Sequence, residues 1–364
     1  MNRRRALAFP VVLIVTLGLS VSPARADSSF SRIAVIQVPG APLRSFDISW
    51  VNNPSQTYYL ADRSNARIDV VDARTNVLTT LGSGVFVGFT GNNDTSGPDG
   101  VVVIERLHQL WVGDGNSRVH VFDLKSGQLV DTISTAKGPG PNPNRADELA
   151  FDEKDHLIVI ANDADTPPYR SFISTQDHSV LGRLDFPDAT DGLEQPLWDR
   201  ATHQIYQAVP ETPTNPGGEI AVVDPETMAV TAVFPVVDCH PHGLALGPHQ
   251  NLLLGCASPN QSIVMDARSG AILADITRIG GSDEVWFNPG DKNFYLAARN
   301  FPGGPVLGVI DAKTNSWIAN VPTGPGAHSV AANRANNHIF VPIAPKPTDP
   351  ACLNGCIAVY AMAG

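Results

Sequence analysis

Positive charge is scarce in this sequence: 25 lysines and arginines stand against 36 aspartates and glutamates, giving a formal net charge of −11. Residues 1–26 contain four of the arginines and no acidic residue, so the chain after residue 26 carries a formal charge of −15. Nucleic acids and anionic membranes are bound by basic surfaces, so we expect neither of them as a partner. The charge is compatible with a cationic ligand, a metal ion or plain solubility.

Long hydrophobic runs are missing after the N-terminus. No stretch of 18 apolar residues occurs beyond residue 26, so no membrane-spanning helix is predicted. The N-terminus itself combines Arg3–Arg5, an apolar stretch over residues 6–20 and an A-x-A site at Ala24–Ala26. This combination is typical of a cleaved signal peptide. We therefore predict a signal peptide over residues 1–26 and an exported protein, periplasmic or extracellular.

Several common functional motifs are also missing. The sequence has no G-x-S-x-G nucleophile elbow, no P-loop and no C-x-x-C-H haem-attachment motif. Two oxygen-rich segments, residues 91–97 and 162–165, lack the spacing and the terminal glutamate of an EF-hand. None of these motifs therefore indicates a reaction for this chain.

Cysteine is rare, with four residues in the chain. An exported protein folds in an oxidising compartment, so an even number of cysteines favours two disulfides. Cys352 and Cys356 flank a tight Asn-Gly turn, and Cys239 precedes a predicted strand whose antiparallel neighbour ends at Cys256. We predict the bridges Cys239–Cys256 and Cys352–Cys356. The alternative for Cys239, which lies beside His240, is a metal ligand.

A repeat with steps of 41 to 52 residues runs through the chain seven times. Each copy has an acidic residue or a histidine at one position and a small residue 13 or 14 positions later. A period in this range with several strands per copy is typical of a β-propeller. We predict an all-β protein: a seven-bladed β-propeller of four-stranded blades, forming a single domain over residues 27–364. The column of acidic residues and histidines comprises Asp47, Asp99, Asp147, Glu194, His242, Asp283 and His328.

The first copy shows how each blade is built. Its four predicted strands are residues 46–50 (innermost), 58–61, 67–71 and 77–81. The last copy ends after three strands, and residues 32–38 offer the missing outer strand. Pairing the two ends of the chain would close the ring and remove the exposed sheet edges, so we predict closure by the N-terminal strand joining the last blade.

Several segments of these copies resemble known repeats. VIDAKTN at Val309–Asn315 and IAVVDPET at Ile220–Thr227 are similar to YVTN-type bacterial propeller repeats. Tyr59–Ile68 and Pro241–Pro248 resemble NHL-type and gluconolactonase-type repeats. The chain thus resembles YVTN/NHL-type bacterial β-propeller repeat proteins over nearly its whole length after the signal peptide. It is more distantly similar to gluconolactonase-like and streptogramin-lyase-like propellers. The resemblance implies the fold, which hosts many unrelated functions.

The acidic and histidine column marks one face of the predicted ring. Each residue of the column lies at the start of an inner strand, on the side of the ring where the long connections arrive. Binding sites usually lie on long loops that a rigid scaffold holds. Carboxylates and imidazoles that converge on a narrow opening repel each other unless they share protons, hold water or bind a cation. We predict a divalent metal bound by His242, Asp283 and His328, with Asp47, Asp99, Asp147 and Glu194 completing the axial ring.

Mixed imidazole and carboxylate ligation favours zinc, manganese or iron, with calcium also compatible. His240 and Glu284 are the candidates for moving protons. Glu148, Gln195 and Glu284 directly follow column residues, so we expect them to point between blades, which makes Asp283 the better ligand. The alternative is a wet channel in which the polar residues bind no metal.

Three functions fit this sequence. The first is a metal-dependent hydrolase or lyase acting on a small ester or lactone. Gluconolactonase-like proteins have six blades and use Glu, Asn and Asp around their metal, whereas streptogramin-lyase-like propellers have seven blades with His and Glu near the axis. Their close Glu-x-His pairing is absent here, because Trp286 occupies that place.

The second function is a non-catalytic exported propeller that binds a ligand or a protein. The third is a redox subunit resembling an amine dehydrogenase heavy chain, which would need a quinone-bearing partner. For the first two we expect a small molecule or a partner at the loop-rich face, and a monomer.

Overall fold

The computed structural model describes residues 30–140 and 142–363, and the predicted signal peptide lies outside them. These residues form seven four-stranded antiparallel sheets arranged as the blades of a ring. The prediction of an all-β, seven-bladed propeller is confirmed. In the described part of the chain, no helix is long and apolar enough to span a membrane.

The strands follow one another in short steps along the chain. They are β1 (Phe30–Gln37), β2 (Ser49–Asn52), β3 (Thr57–Asp62), β4 (Arg67–Asp72), β5 (Val77–Leu81), β6 (Val101–Ile104), β7 (Gln109–Asp114), β8 (Arg118–Asp123), β9 (Leu129–Ser134), β10 (Leu149–Asp152), β11 (Leu157–Asn162), β12 (Tyr169–Ser174), β13 (Val180–Asp185), β14 (Pro196–Asp199), β15 (Gln204–Val209), β16 (Glu219–Asp224), β17 (Ala229–Pro235), β18 (Pro241–Leu246), β19 (Asn251–Cys256), β20 (Ser262–Asp266), β21 (Ile272–Ile276), β22 (Val285–Asn288), β23 (Asn293–Ala298), β24 (Val306–Asp311), β25 (Ser316–Pro322), β26 (Ala331–Asn333), β27 (His338–Ile343) and β28 (Cys356–Met362). Single 3-10 turns lie at Arg63–Asn65, Asn93–Thr95, Glu105–Leu107, Pro248–Gln250 and Pro350–Cys352.

Blades 1 to 6 each use four consecutive strands, from β2–β5 in blade 1 to β22–β25 in blade 6, with the first strand innermost. Blade 7 has the order β26, β27, β28 and β1, so the N-terminal strand is its outer edge. The innermost strand of blade 1 begins at Ser49, later than the predicted residue 46. The preceding residues lead from the mouth of the ring into the strand, and Asp47 N still donates to Ala61 O at 2.9 Å.

Ring closure by the N-terminal strand is confirmed. β1 runs antiparallel to β28, from the pair Phe30 and Met362 to the pair Gln37 and Cys356. Phe30 and Ile36 are both 5% exposed, because they pack into the spaces that flank blade 7. The two ends of the chain are therefore held by the same sheet.

The hydrophobic core is divided among the spaces between neighbouring blades. Alternate residues of each strand point to opposite faces of the sheet, so every blade contributes one apolar row to each neighbour. Tyr58, Leu60 and Val71 of blade 1, for example, pack against Phe340 and Val359 of blade 7. This packing fixes the blades radially and directs the start of each inner strand toward the axis.

Both predicted disulfides are present. Cys239 is bonded to Cys256 with a Cα–Cα distance of 4.7 Å, and Cys352 to Cys356 with a distance of 5.2 Å. The first bridge ties the segment before β18 to the end of β19. Because the thiol of Cys239 is used in this bridge, the alternative of Cys239 as a metal ligand is wrong.

Candidate functional site

A polar cavity of about 240 Å³ opens at one end of the ring axis. It is lined by residues of the connections that join neighbouring blades, such as Ser45 and Arg145, and of the connections within blades, such as Arg63 and Arg299. The acidic and histidine column lies at this mouth. The column members that line the cavity are Asp47, Asp147, Glu194, His242, Asp283 and His328.

Two glycines allow adjacent column residues to approach closely. Gly243 follows His242, and its N donates to Asp283 O of the next blade at 3.1 Å. Gly100 has the same position in blade 2 and donates to Asp147 O at 3.2 Å. A side chain at either glycine would clash with the carbonyl oxygen that it faces. The sequence therefore brings blades 5 and 6, and blades 2 and 3, into contact at the mouth.

One half of the mouth is a cluster of three aspartates held by two arginines. Each of Asp47, Asp99 and Asp147 has a carboxylate oxygen within 4.8 Å of such an oxygen in the others. Arg63 donates from Nη2 to Asp47 Oδ2 at 2.6 Å and from Nε to Asp99 Oδ1 at 2.9 Å. Arg145 Nη2 lies 2.8 Å from Asp147 Oδ2. Two guanidinium groups thus lie beside three converging carboxylates and partly offset their mutual repulsion.

Burial by itself would raise the pKa of Asp47, but Arg63, His328 and Arg145 together outweigh burial and lower that pKa to about 2. Arg63 is 2% exposed, so its charge acts with little screening by solvent. The repeat did not identify Arg63 or Arg145, because Arg63 recurs in only one other copy, as Arg299, and Arg145 recurs in none. The signals available in the sequence were that Arg63 directly follows β3 and that Arg145 lies two residues before Asp147.

The other half of the mouth brings Glu194, His242 and Asp283 together. His242 Nδ1 lies 3.1 Å from Asp283 Oδ1 and 3.4 Å from Glu194 Oε1. One nitrogen or oxygen atom from each residue lies within 4.8 Å of the other two. The exposed fractions of the three side chains are 20%, 19% and 15%, so all three are reached from the cavity. Arg299 Nη2 holds the other oxygen of Asp283 at 2.9 Å.

The charges of this group depend on one another. Burial disfavours the imidazolium of His242, but Glu194 and Asp283 outweigh burial and raise the pKa of His242 to about 9. Burial, together with Asp283, raises the pKa of Glu194 to about 7. Burial also opposes ionisation of Asp283, yet Arg299 and His242 lower its pKa. The imidazolium and the guanidinium therefore balance the carboxylates.

His328 lies apart from the three-residue group. Its Nε2 is 3.5 Å from Asp47 Oδ1, its Nδ1 is 2.6 Å from Gly326 O, and its ring stacks on Phe46. Among the described residues, the metal-capable group that includes His242 therefore contains Glu194 in the place that the sequence prediction gave to His328.

His240, a predicted proton carrier, lies outside the residues that line the mouth. It sits in the turn before β18, where its backbone N donates to Gly217 O at 2.7 Å. Its φ of +48° directs the chain away from the extended course of the strand that follows. His240 and His242 therefore occupy different surroundings although they are two residues apart.

The expected orientation of Glu148 and Glu284 is wrong. Their carboxyl groups lie close to each other, although they come from blades 3 and 6. The axial channel separates these blades, so both side chains reach toward the axis rather than into the spaces between blades. Burial and the proximity of Glu284 raise the pKa of Glu148, and burial followed by Asp283 raises the pKa of Glu284. A proton shared between the two carboxyl groups would explain why both can be buried close together.

Comparisons with known proteins bear on the fold. No protein-family model and no curated protein matches the sequence. Among solved structures, a chain of the mitotic checkpoint complex is similar, with a TM-score of 0.68 and 14% sequence identity over 99% of this chain and 99% of that chain. At this level of identity the likeness establishes the β-propeller fold and carries no activity, substrate or partner to this protein.

Proposed function

We propose that this protein is an exported β-propeller that binds a divalent metal through Glu194, His242 and Asp283 and acts as a metal-dependent hydrolase or lyase on a small ester or lactone. The observation that carries the proposal is the convergence of one imidazole and two carboxylates, within 4.8 Å of one another, at an open axial cavity. Three protein ligands leave further coordination positions for water and substrate.

The chemistry of the three donors fits a transition metal. One nitrogen and two carboxylate oxygens favour zinc, manganese or iron over calcium. Arg299 would hold Asp283 in place from outside the ligand set, as partners of ligating carboxylates do. A divalent metal bound by these atoms would take the place of the proton on His242 and would add one positive charge to the site.

A bound metal would supply a polarised carbonyl or an activated water to such a reaction. Glu148 lines the same cavity, and the raised pKa of its carboxyl favours the protonated form. Glu284, whose carboxyl lies close to that of Glu148, can take up that proton. The carboxyl pair thus replaces His240 as the proposed proton carrier beside the cavity, with Glu284 kept in that role.

Export and the reaction class rest on sequence features. The N-terminal pattern is typical of a signal peptide, and two disulfides suit an oxidising compartment. The reaction class follows the resemblance to YVTN/NHL-type, gluconolactonase-like and streptogramin-lyase-like repeats.

A non-catalytic binding role is the second candidate. Arg63 and Arg145 pair with the three aspartates in one half of the mouth, so that half already contains two cations of the chain itself. A propeller with such a polar mouth and long loops could bind a small polar ligand or a protein without turning it over.

The test is elemental analysis of the protein purified without chelators, for the wild type, His242→Ala, His328→Ala and His156→Ala. We expect about one metal ion per chain in the wild type, none in His242→Ala, and unchanged metal in the other two variants. His156 is the matched control, because it lies in the turn between β10 and β11, outside the residues that line the mouth, where its ring contacts Arg106. Metal retained in His242→Ala would refute the site.

A wild-type protein that contains no metal would favour the non-catalytic binding role. A loaded protein that cleaves none of a panel of lactones and esters would refute the reaction class while leaving the metal site intact.

A further inference from the structure

A second cavity lies at the opposite end of the ring axis. It has a volume of about 360 Å³ and is lined by Trp50, Trp198 and Trp286, with Phe151 and Phe287 beside them. All five aromatic residues are only partly buried. Among the sixteen described residues that line it, none is charged. We propose that this cavity binds a small neutral aromatic molecule of one or two fused rings.

The contrast between the two ends of the axis arises from the inner strands. Residues at or just before the start of these strands form the polar mouth, and residues from the first strand position onward, such as Leu149 and Val285, form the wall of the apolar cavity. Glu148 and Glu284, whose carboxyl groups lie close to each other, directly precede these two residues. Polar side chains therefore adjoin the apolar cavity on the side of the mouth.

The size of the cavity limits its occupant. A cavity of about 150 Å³ lined by apolar side chains takes a benzene molecule, so a volume of about 360 Å³ admits two fused rings. An α-helix, about 10 Å across with its side chains, is too wide for this space. A small molecule therefore fits better than a peptide.

The wall of the cavity selects a flat and uncharged ligand. The rings of Trp50 and Trp286 meet edge to face, with centroids 5.2 Å apart, and Trp198 lines the same space from blade 4. Aromatic rings gain from edge-on and offset contacts beyond the area that they bury. A ligand carboxylate would lose its hydration here without gaining a cation, which is costly. The ligand should therefore be aromatic and neutral.

The test uses calorimetric titration of the full protein with 2-naphthol, which is uncharged at neutral pH, and with 2-naphthoate, which has the same rings and a carboxylate. We expect 2-naphthol to bind with one site per chain and 2-naphthoate to bind at least about tenfold more weakly. Because no ligand of the proposed metal site lines this cavity, the same result is expected in the presence of a chelator.

Two variants locate the binding. Trp198→Ala removes an aromatic wall and should weaken 2-naphthol binding by about tenfold. Leu246→Trp fills the cavity and should abolish binding. Trp317→Ala is the matched control, because Trp317 lies on the outer strand β25 beneath Arg278, and it should leave the affinity unchanged. Near-ultraviolet circular dichroism establishes that each variant is folded.

Four results would overturn the proposal. The first is no binding of 2-naphthol to the folded wild type at about 1 mM. The second is equal binding by the wild type and both cavity variants, and the third is equal affinity for 2-naphthol and 2-naphthoate. A dimer that buries the aromatic end, detected by sedimentation and dissociated by Leu246→Arg, would assign the surface to a second copy of the chain and would also refute the small-molecule site.

Discussion

Arg63 of blade 1 donates from Nε to Asp99 Oδ1 of blade 2 at 2.9 Å, and its Nη2 donates to Asp47 of its own blade at 2.6 Å. A single guanidinium, 2% exposed, thus joins carboxylates of two blades at the mouth of the ring. Its pKa is raised because Asp47 and Asp99 outweigh the burial that opposes its charge. The polar mouth is therefore held together by an internal cation that belongs to the chain.

Replacing this arginine should destabilise the fold. Arg63→Met leaves Asp47 and Asp99 buried without their partner, and breaking a buried ion pair in this way costs about 3–5 kcal/mol. Urea unfolding at neutral pH measures the loss. The matched control is Arg74→Met, because Arg74 pairs with Asp72 in an exposed turn, and its unfolding midpoint should equal that of the wild type. Equal midpoints for the two variants would contradict the bridging role of Arg63.

The N-terminal strand should contribute to the stability of the whole ring. Ile36 on β1 is 5% exposed and packs between blades 7 and 1, whereas Ile33 on the same strand is 48% exposed. Ile36→Ala should lower the free energy of unfolding by about 2–4 kcal/mol, because it creates a cavity in the core. Ile33→Ala should change the unfolding free energy by less than about 0.5 kcal/mol. Similar losses in both variants would mean that β1 is not packed as described.

Stability should depend on pH through Asp69. Burial, with Asp62 beside it, raises the pKa of Asp69 to about 7, so the folded protein binds this proton more tightly than the unfolded chain does. The stability due to the protonated carboxyl is full below pH of about 4 and is lost as the pH rises to about 7. Relative to Asp69→Asn, the wild type should therefore lose unfolding free energy across this range in denaturant titrations.

Asp72→Asn is the control for this titration. The hydrogen bond from Arg74 lowers the pKa of Asp72 to about 2, so its contribution is present above pH of about 4 and disappears only as the pH falls toward 2. Between pH 4 and 7 its difference from the wild type should be constant. A difference between the wild type and Asp69→Asn that is equally flat would contradict the raised pKa of Asp69.

The two disulfides should contribute unequally. Cys239–Cys256 spans 17 residues and Cys352–Cys356 spans four. If a disulfide acts by restricting the unfolded chain, the first contributes about 3 kcal/mol and the second about 2 kcal/mol. Replacing both cysteines of one bridge by alanine and comparing unfolding in urea measures each contribution. A larger loss for the shorter loop would show that native-state packing, rather than loop length, sets the effect.

The repeat in the sequence was sufficient to predict the ring. Strand positions, the closure by β1 and both disulfides depend on spacing along the chain, because each blade is a local unit of about 45 residues and each bridge joins neighbouring or nearby segments. The gathering of the acidic and histidine column at one mouth follows from the same regularity, since every inner strand begins at the same end of the axis.

The partners within the mouth were decided by the tertiary structure. Arg63 and Arg299 share one position of the repeat, but only these two copies carry an arginine there, and Arg145 has no counterpart in another copy, so the repeat does not mark these residues. The choice of Glu194 rather than His328 beside His242 depends on which side chains reach each other across adjacent blades.

The pair of Glu148 and Glu284 joins residues 136 positions apart. These contacts, and the apolar cavity below them, depend on how seven blades close around one axis, because closure sets the distance between side chains that the sequence places far apart. The sequence by itself determined the repeating scaffold and the face that carries the polar residues. The closure of the ring determined which charges meet there and which aromatic residues enclose a space at the other end.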